Sequence, residues 1–110
     1  MEIKNFMKKI FIILLFPLYI FSQSSISGNI TDIDGNPIMG ANVIAVNNET
    51  KVLDGFGISN ESGFYNLNLK NGTEFNIKVT FIGFQPMEFN LTLTEDLERN
   101  FVLEEQAEAL

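Results

Sequence analysis

The second half of the chain alternates apolar and polar residues with a period of two, in three successive runs. These are FYNLNL from Phe64, EFNIKVTFI from Glu74 and PMEFNLTL from Pro86. A period of two places successive side chains on opposite faces of a β-strand, so that one face can be buried while the other is hydrated. The Asn71-Gly72 pair between the first two runs favours a tight hairpin turn. The pattern therefore predicts strands with one buried face.

The same reasoning assigns the core and the fold class. Ile26 and Ile30 share one face of the earlier stretch SISGNITD, ANVIAV from Ala41 is apolar on both faces except at Asn42, and LERNFVL from Leu97 supplies the last strand. Turns every eight to twelve residues indicate an all-β sandwich of about seven antiparallel strands in a Greek-key arrangement. The residues predicted to face the core of the second half are Tyr65, Leu67, Leu69, Phe75, Ile77, Val79, Phe81, Met87, Phe89, Leu91, Leu93, Leu97, Phe101 and Leu103.

The first 22 residues are typical of a secretory signal peptide. Lys4, Lys8 and Lys9 precede twelve uncharged residues at 10–21, and polar residues follow. The apolar run is shorter than the roughly 20 residues that span a bilayer. The sequence predicts cleavage after Ser22 or Gln23 and an exported domain at 23–104. An uncleaved inner-membrane anchor is the alternative.

Charge and composition exclude several functions. Without residues 1–22 the chain keeps four basic and thirteen acidic residues, a net charge of −9 that repels DNA, RNA and anionic membranes. It has no histidine and no cysteine, which excludes Ser-His-Asp and Cys-His catalysis and zinc sites built on those ligands. We predict a non-enzymatic domain without a metal or cofactor site, whose only membrane association is through the signal segment.

The segment TDIDGNP invites comparison with a calcium-binding loop, since Asp32, Asp34 and Asn36 occupy alternate positions. A calcium loop of the helix-loop-helix kind needs glycine at position 6 and glutamate at position 12, where this chain has Pro37 and Val43. The segment is better interpreted as a turn between strands, in which Gly35 takes a positive φ, Asx side chains accept local N–H groups and Pro37 ends the ladder. A loose calcium site on the surface is the alternative.

Two further sets of side chains are candidates for a ligand site or a catalytic site. Phe56, Phe64 and Phe84 are aromatic while their neighbours point inward, so they are candidates for a sugar-stacking platform or for caps on the ends of the sandwich. Carboxylates that could in principle pair for acid–base catalysis are better interpreted as solvated charges: Asp54, Glu61 and Glu88.

Three stretches together resemble the carboxypeptidase regulatory-like domain. They are ISGNITDIDGNPIMGANVIAV, GISNESGFYNLNL and VTFIGFQPMEFNLTL. The family pattern begins with Gly, Thr-Asp, Asp-Gly-x-Pro and Gly-Ala-x-Val. It continues with a Gly-x-aromatic and closes with an aromatic-aliphatic-Gly-aromatic. The residues that match it are Gly28, Thr31, Asp32, Asp34, Gly35, Pro37, Gly40, Ala41, Val43, Gly63, Tyr65, Phe81, Ile82, Gly83 and Phe84.

The resemblance implies a transthyretin-like (prealbumin-like) sandwich with a non-catalytic role. Such domains stand at the periplasmic N-terminus of many TonB-dependent outer-membrane receptors, and the acidic residues 105–110 are similar to the linker that follows there. The implied location is the periplasm, in association with the outer membrane. The implied partners are outer-membrane receptor components or a periplasmic protein, and the implied state is a truncated receptor or a stand-alone accessory domain. A small carbohydrate-binding or adhesion module, with a glycan as ligand, is the alternative.

Overall fold

A computed structural model describes residues 22–107 of the 110-residue chain. The predicted signal peptide lies outside the described residues apart from Ser22, as do residues 108–110. Within the described range, no helix has both the length and the apolar character needed to cross a membrane. The structure has eight strands: β1 (Gln23–Asp32), β2 (Asn42–Asn47), β3 (Leu53–Ile58), β4 (Phe64–Lys70), β5 (Glu74–Thr80), β6 (Met87–Thr92), β7 (Leu97–Glu98) and β8 (Phe101–Leu103).

The strands form two four-stranded sheets, and the predicted all-β sandwich is confirmed. In the first sheet β1 lies between β4 on one side and the short strands β7 and β8 on the other. The second sheet has the order β3-β2-β5-β6, with every neighbouring pair antiparallel.

Two details differ from the predicted seven antiparallel strands. The closing strand is split into β7 and β8, and both run parallel to β1. Parallel neighbours need a crossover rather than a hairpin, and here the chain crosses from β6 in the second sheet to β7 in the first. Alternation of side chains is the same for both strand directions, so the sequence pattern does not reveal this pairing.

The core lies between the sheets and contains most of the predicted residues. β1, β4 and β5 bury every second side chain, and Tyr65, Phe75 and Phe101 are the largest side chains enclosed. On the edge strand β6 the predicted inward residues are partly buried and pack against this core. Burial of alternate side chains is thus what holds the sheets together.

The splitting of the closing strand is a consequence of a close backbone approach at Gly28. The Arg99 backbone N–H donates to the Ser27 carbonyl oxygen at 2.7 Å, and the Asn100 side-chain oxygen accepts the Asn29 N–H at 2.9 Å. A Cβ at position 28 would collide with the Arg99 carbonyl. Gly28 therefore allows the β7–β8 link to cross directly over β1.

Gly83, one of the residues that match the family pattern, lies in a turn after β5. β5 ends at Thr80, and the Phe84 N–H donates to the Phe81 carbonyl oxygen at 3.1 Å. Gly83 has φ of +83°, and no atom lies within 4 Å of the position its Cβ would take. The requirement for glycine is thus conformational and does not come from packing.

Candidate functional site

The TDIDGNP segment forms a turn organised by Asp32. One carboxylate oxygen of Asp32 accepts the backbone N–H groups of Asp34 and Asn36, both at 2.9 Å. The other accepts the Asn36 side-chain amide at 3.2 Å. These hydrogen bonds, that of the Asn36 backbone first, lower the pKa of Asp32 below its usual value. The predicted turn is present, with Asp32 at its centre and Gly35 at φ of +85°.

Pro37 does not end the pairing of this segment with β1, in contrast to the prediction. Thr31 and Pro37 form an isolated antiparallel bridge, and the Ile38 N–H donates to the Ile30 carbonyl oxygen at 2.9 Å. The loop therefore folds back along the end of β1. Among the other residues that match the family pattern, Gly40 and Gly63 take positive φ and Ala41 is buried.

A cavity of about 470 Å³ opens beside this turn. Its lining combines four carboxylates with three apolar side chains: Asp32, Asp34, Glu104, Glu105, Ile33, Phe84 and Leu103. The basic side chains of residues 22–107 lie elsewhere. They are Lys51 before β3, Lys70 at the end of β4, Lys78 on β5 and Arg99 in the β7–β8 link. This end of the sandwich, hereafter the acidic end, is therefore uncompensated in charge.

The segment after β8 forms one wall of the acidic end. Phe84 and Glu105 form an antiparallel bridge, the Gln85 N–H donates to the Glu104 carbonyl at 2.8 Å, and the Gln106 N–H donates to the Gly83 carbonyl at 2.9 Å. The acidic segment predicted at 105–110 thus starts inside a hydrogen-bonded stretch. Phe84 also packs on Phe81, with 5.6 Å between ring centroids.

The acidic end presents large apolar side chains to solvent. Ile33 in the TDIDGNP turn is 71% exposed, and Ile82 in the turn before Phe84 is 89% exposed. Both are on tips of loops whose bases are fixed by hydrogen bonds to β1 or to residues 104–106. Exposed apolar side chains next to carboxylates are a combination found at surfaces that contact other molecules.

The candidate aromatic residues do not form one platform. Phe56 projects from the outer face of β3 in the second sheet, whereas Phe64 projects from the outer face of β4 in the first sheet. Phe84 lies at the acidic end, packed on Phe81. Sequence alternation predicts that such residues point outward but does not show that they belong to different sheets.

The carboxylates weighed for acid–base chemistry are also dispersed. Asp54 is on β3, Glu61 is in the turn before β4, and Glu88 is on β6. Within residues 22–107, no group of three His, Cys, Asp or Glu side chains is placed to hold a metal ion.

Ser59 is a residue that sequence reasoning missed. Its buried hydroxyl donates to the Ile38 carbonyl oxygen at 2.6 Å and accepts the Ala41 N–H at 2.9 Å. It thereby ties the loop before β2 to the end of β3. A single serine at the end of a weak strand carries no sequence signal that distinguishes it from an exposed one.

Two comparisons by sequence agree with one another. The family model described as the CarboxypepD_reg-like domain matches residues 26–110. The TonB-dependent receptor SusC of Bacteroides thetaiotaomicron is 31% identical over 105 residues. That match covers 86% of this chain and 10% of the receptor, so the chain spans about a tenth of the length of this relative.

Comparison with solved structures shows the fold alone, because the identities are low. The TIE protein of Bacillus anthracis has a TM-score of 0.63 at 16% identity, covering 76% of this chain and 17% of that one. Chlorocatechol 1,2-dioxygenase of Pseudomonas putida has a TM-score of 0.60 at 11% identity, covering 76% of this chain and 60% of that one. The sandwich architecture is therefore shared by proteins of different function.

Proposed function

The chain belongs to the CarboxypepD_reg-like domain family, and from that premise we propose that it is a non-catalytic interaction module of an outer-membrane transport system of the TonB-dependent receptor type. It is exported to the periplasm through its N-terminal segment. There it acts as an accessory domain by binding a receptor component or a periplasmic protein.

The match to SusC carries this proposal. It is 31% identical and extends over most of this chain, whereas the dioxygenase resembles the chain in fold at 11% identity. The lack of histidine and cysteine in the sequence agrees with a binding role, since common nucleophile–base pairs need one of them.

The acidic end supplies the contact surface in this proposal. Its apolar tips, Ile33 and Ile82, can be buried by a partner, and its carboxylates can pair with basic side chains at the rim. The rigid sandwich behind them holds the loops in place, as Ser59 and the pairing of residues 83–85 with 104–106 show.

Photo-cross-linking in the cells that carry the gene tests the proposal. Benzoylphenylalanine is placed at Ile33 or Ile82, and at Asn66 on the outer face of β4 as the control. We expect adducts with an outer-membrane receptor component from the first two positions, identified by mass spectrometry in the envelope fraction, and none from Asn66. Recovery of the protein in the cytoplasm, or adducts at all three positions alike, would contradict the proposed role.

A further inference from the structure

β3 and the residue before it expose large apolar side chains. Val52, Leu53, Phe56 and Ile58 are each more than half exposed, and Phe56 lies beside half-buried Ile44 of β2. A soluble domain seldom leaves several large apolar side chains together on one strand unless another surface covers them.

β3 is also an edge strand with free backbone groups. Gly57 pairs with Val43 of β2, and the Ser59 N–H donates to the Ala41 carbonyl oxygen at 3.0 Å. Because hydrogen bonding alternates along an antiparallel ladder, the N–H and C=O groups of Phe56 and Ile58 point away from β2. In the described part of the chain, β2 is the only strand that pairs with β3.

The devices that usually protect an edge are sparse on β3. Natural edge strands carry charges, prolines or covering loops that prevent further pairing. The six residues of β3 include one charged side chain, Asp54, and no proline. The bulge opposite Ala45 and Val46 affects the start of the strand and leaves Phe56 to Ile58 in regular register.

We propose that this edge pairs with β3 of a second copy of the chain, antiparallel and about a two-fold axis that passes through Gly57. This register places Phe56 opposite Ile58 of the second copy, and Ile58 opposite Phe56 of the second copy. The outward N–H and C=O groups of both residues then form four hydrogen bonds across the axis. The two aromatic–aliphatic pairs cover each other, and the second sheets join into one sheet of eight strands.

The local charges in this register do not oppose a second copy as partner. In the proposed register Asp54 lies opposite Asn60 of the second copy, so no carboxylate faces another across the ladder. The chains repel each other only through their overall charge, which is −9 without residues 1–22. The Debye length falls from about 30 Å at 0.01 M salt to about 8 Å at 0.15 M, so salt should strengthen the dimer. An interface built on ion pairs would show the opposite dependence.

The interface is small, and the dimer is accordingly weak and reversible. One six-residue strand from each copy forms it. Interfaces that bury less than about 1,200 Å² are typical of transient complexes. The monomer and the dimer should therefore both be populated at concentrations of about 10 µM to about 1 mM.

Sedimentation equilibrium of the purified chain over that range tests the proposal. We expect a monomer–dimer equilibrium whose dissociation constant falls at least about tenfold between 0.01 M and 0.15 M sodium chloride. Phe56→Lys or Ile58→Lys should abolish the dimer. Ile82→Lys makes the same change of charge at an exposed residue of the acidic end and should leave the dimer intact. All three variants should keep the thermal denaturation of the unsubstituted protein.

A disulfide experiment tests the register without relying on those variants. The chain has no native cysteine. Directly opposed residues of a hydrogen-bonded antiparallel pair have Cα atoms about 5.5 Å apart, within disulfide range. The double variant Phe56→Cys/Ile58→Cys should form a covalent dimer on mild oxidation, whereas Ile82→Cys should not.

A monomer at every concentration and salt level would overturn the proposal, as would a dimer that survives Phe56→Lys. Photo-cross-linking in cells, with benzoylphenylalanine in place of Phe56, distinguishes a second copy from a different protein bound at the β3 edge. An adduct of twice the chain mass supports a second copy as the partner of β3. If every adduct contains a different protein, the partner of β3 is a strand of that protein and the proposed dimer is wrong.

Discussion

The hydroxyl of Tyr65 donates a hydrogen bond of 2.5 Å to the backbone carbonyl oxygen of Arg99, 34 positions along the chain. The same carbonyl lies over Gly28 of β1. The Arg99 guanidinium lies over the ring of Phe89, 4.1 Å from its centroid. One residue of the β7–β8 link therefore contacts β1, β4 and β6, and so connects both sheets.

Replacing Tyr65 by phenylalanine should weaken this connection. The Arg99 carbonyl would lose a partner in a partly buried position, and a hydrogen bond of this kind contributes about 1 kcal/mol net. We expect the free energy of unfolding to fall by about that amount in urea denaturation. Phe64→Leu, at the exposed neighbouring position, is the control and should change it little. An unchanged midpoint for Tyr65→Phe would contradict the role given to the hydroxyl.

Tyr65 should also make stability depend on alkaline pH. Burial raises the pKa of its hydroxyl above the ordinary value of 10.0, an effect that the charge of Arg99 partly opposes. The unfolded state therefore ionises first, and the stabilisation is complete below about pH 10 and lost as the pH rises further. The measurement is the free energy of unfolding of the protein and of Tyr65→Phe from neutral to alkaline pH. The difference between the two should shrink as the pH rises above about 10. A difference that stays constant above pH 10 would count against it.

Gly28→Ala should destabilise the sandwich because the new methyl group meets the Arg99 carbonyl. Overpacking of this kind typically costs about 1–3 kcal/mol, and we expect a loss within that range in urea denaturation. Ser27→Ala, one residue earlier on β1, should have a much smaller effect. Equal stability of the two variants would mean that the link moves away at little cost.

Gly83 should be sensitive to backbone conformation and insensitive to side-chain size. Its φ is positive and its surroundings are open, so Gly83→Ala and Gly83→Val should both destabilise by about 1–3 kcal/mol. Gly83→Asn should cost less, because asparagine adopts this conformation more readily. An alanine variant as stable as the unsubstituted protein would contradict the conformational requirement.

The TDIDGNP turn should not depend on calcium. Both carboxylate oxygens of Asp32 already accept hydrogen bonds from within the turn. We expect millimolar calcium to leave the Tm of the protein unchanged, and Asp32→Ala to lower the Tm equally with calcium and with chelator. A rise of the Tm with calcium that disappears in Asp32→Ala would show a metal site.

Local patterns predicted the faces of the strands well. Alternation identified the buried side chains of β4 and β5, and the turn residues marked the TDIDGNP turn. These features depend on neighbours in sequence, so a sequence pattern records them. The direction of β7 and β8 depends on which sheet the chain enters after β6, and the alternation of apolar and polar residues carries no information about this.

The candidate site was predictable only in part. Phe84 and Asp34 were selected from the sequence, and both line the cavity at the acidic end. The contribution of Glu104 and Glu105 comes from backbone pairing with residues 83–85, which follows from the three-dimensional course of the chain. The apolar face of β3 was missed because Gly55 and Gly57 make the strand look weak. Both glycines face inward, against Leu67 and Leu69 of β4.

The parallel course of β1 and β8 determines how the domain would respond to mechanical tension. The described chain enters β1 at Gln23 and leaves β8 at Leu103, beside Asp32 at the far end of β1. A pull on the two ends would slide β8 along β1 in shear. The hydrogen bonds of β1 with β7 and β8 would then be loaded together instead of opening one after another. Extension by atomic force microscopy, which reports the unfolding rate under load, should therefore show a distinct rupture peak and not a gradual unzipping.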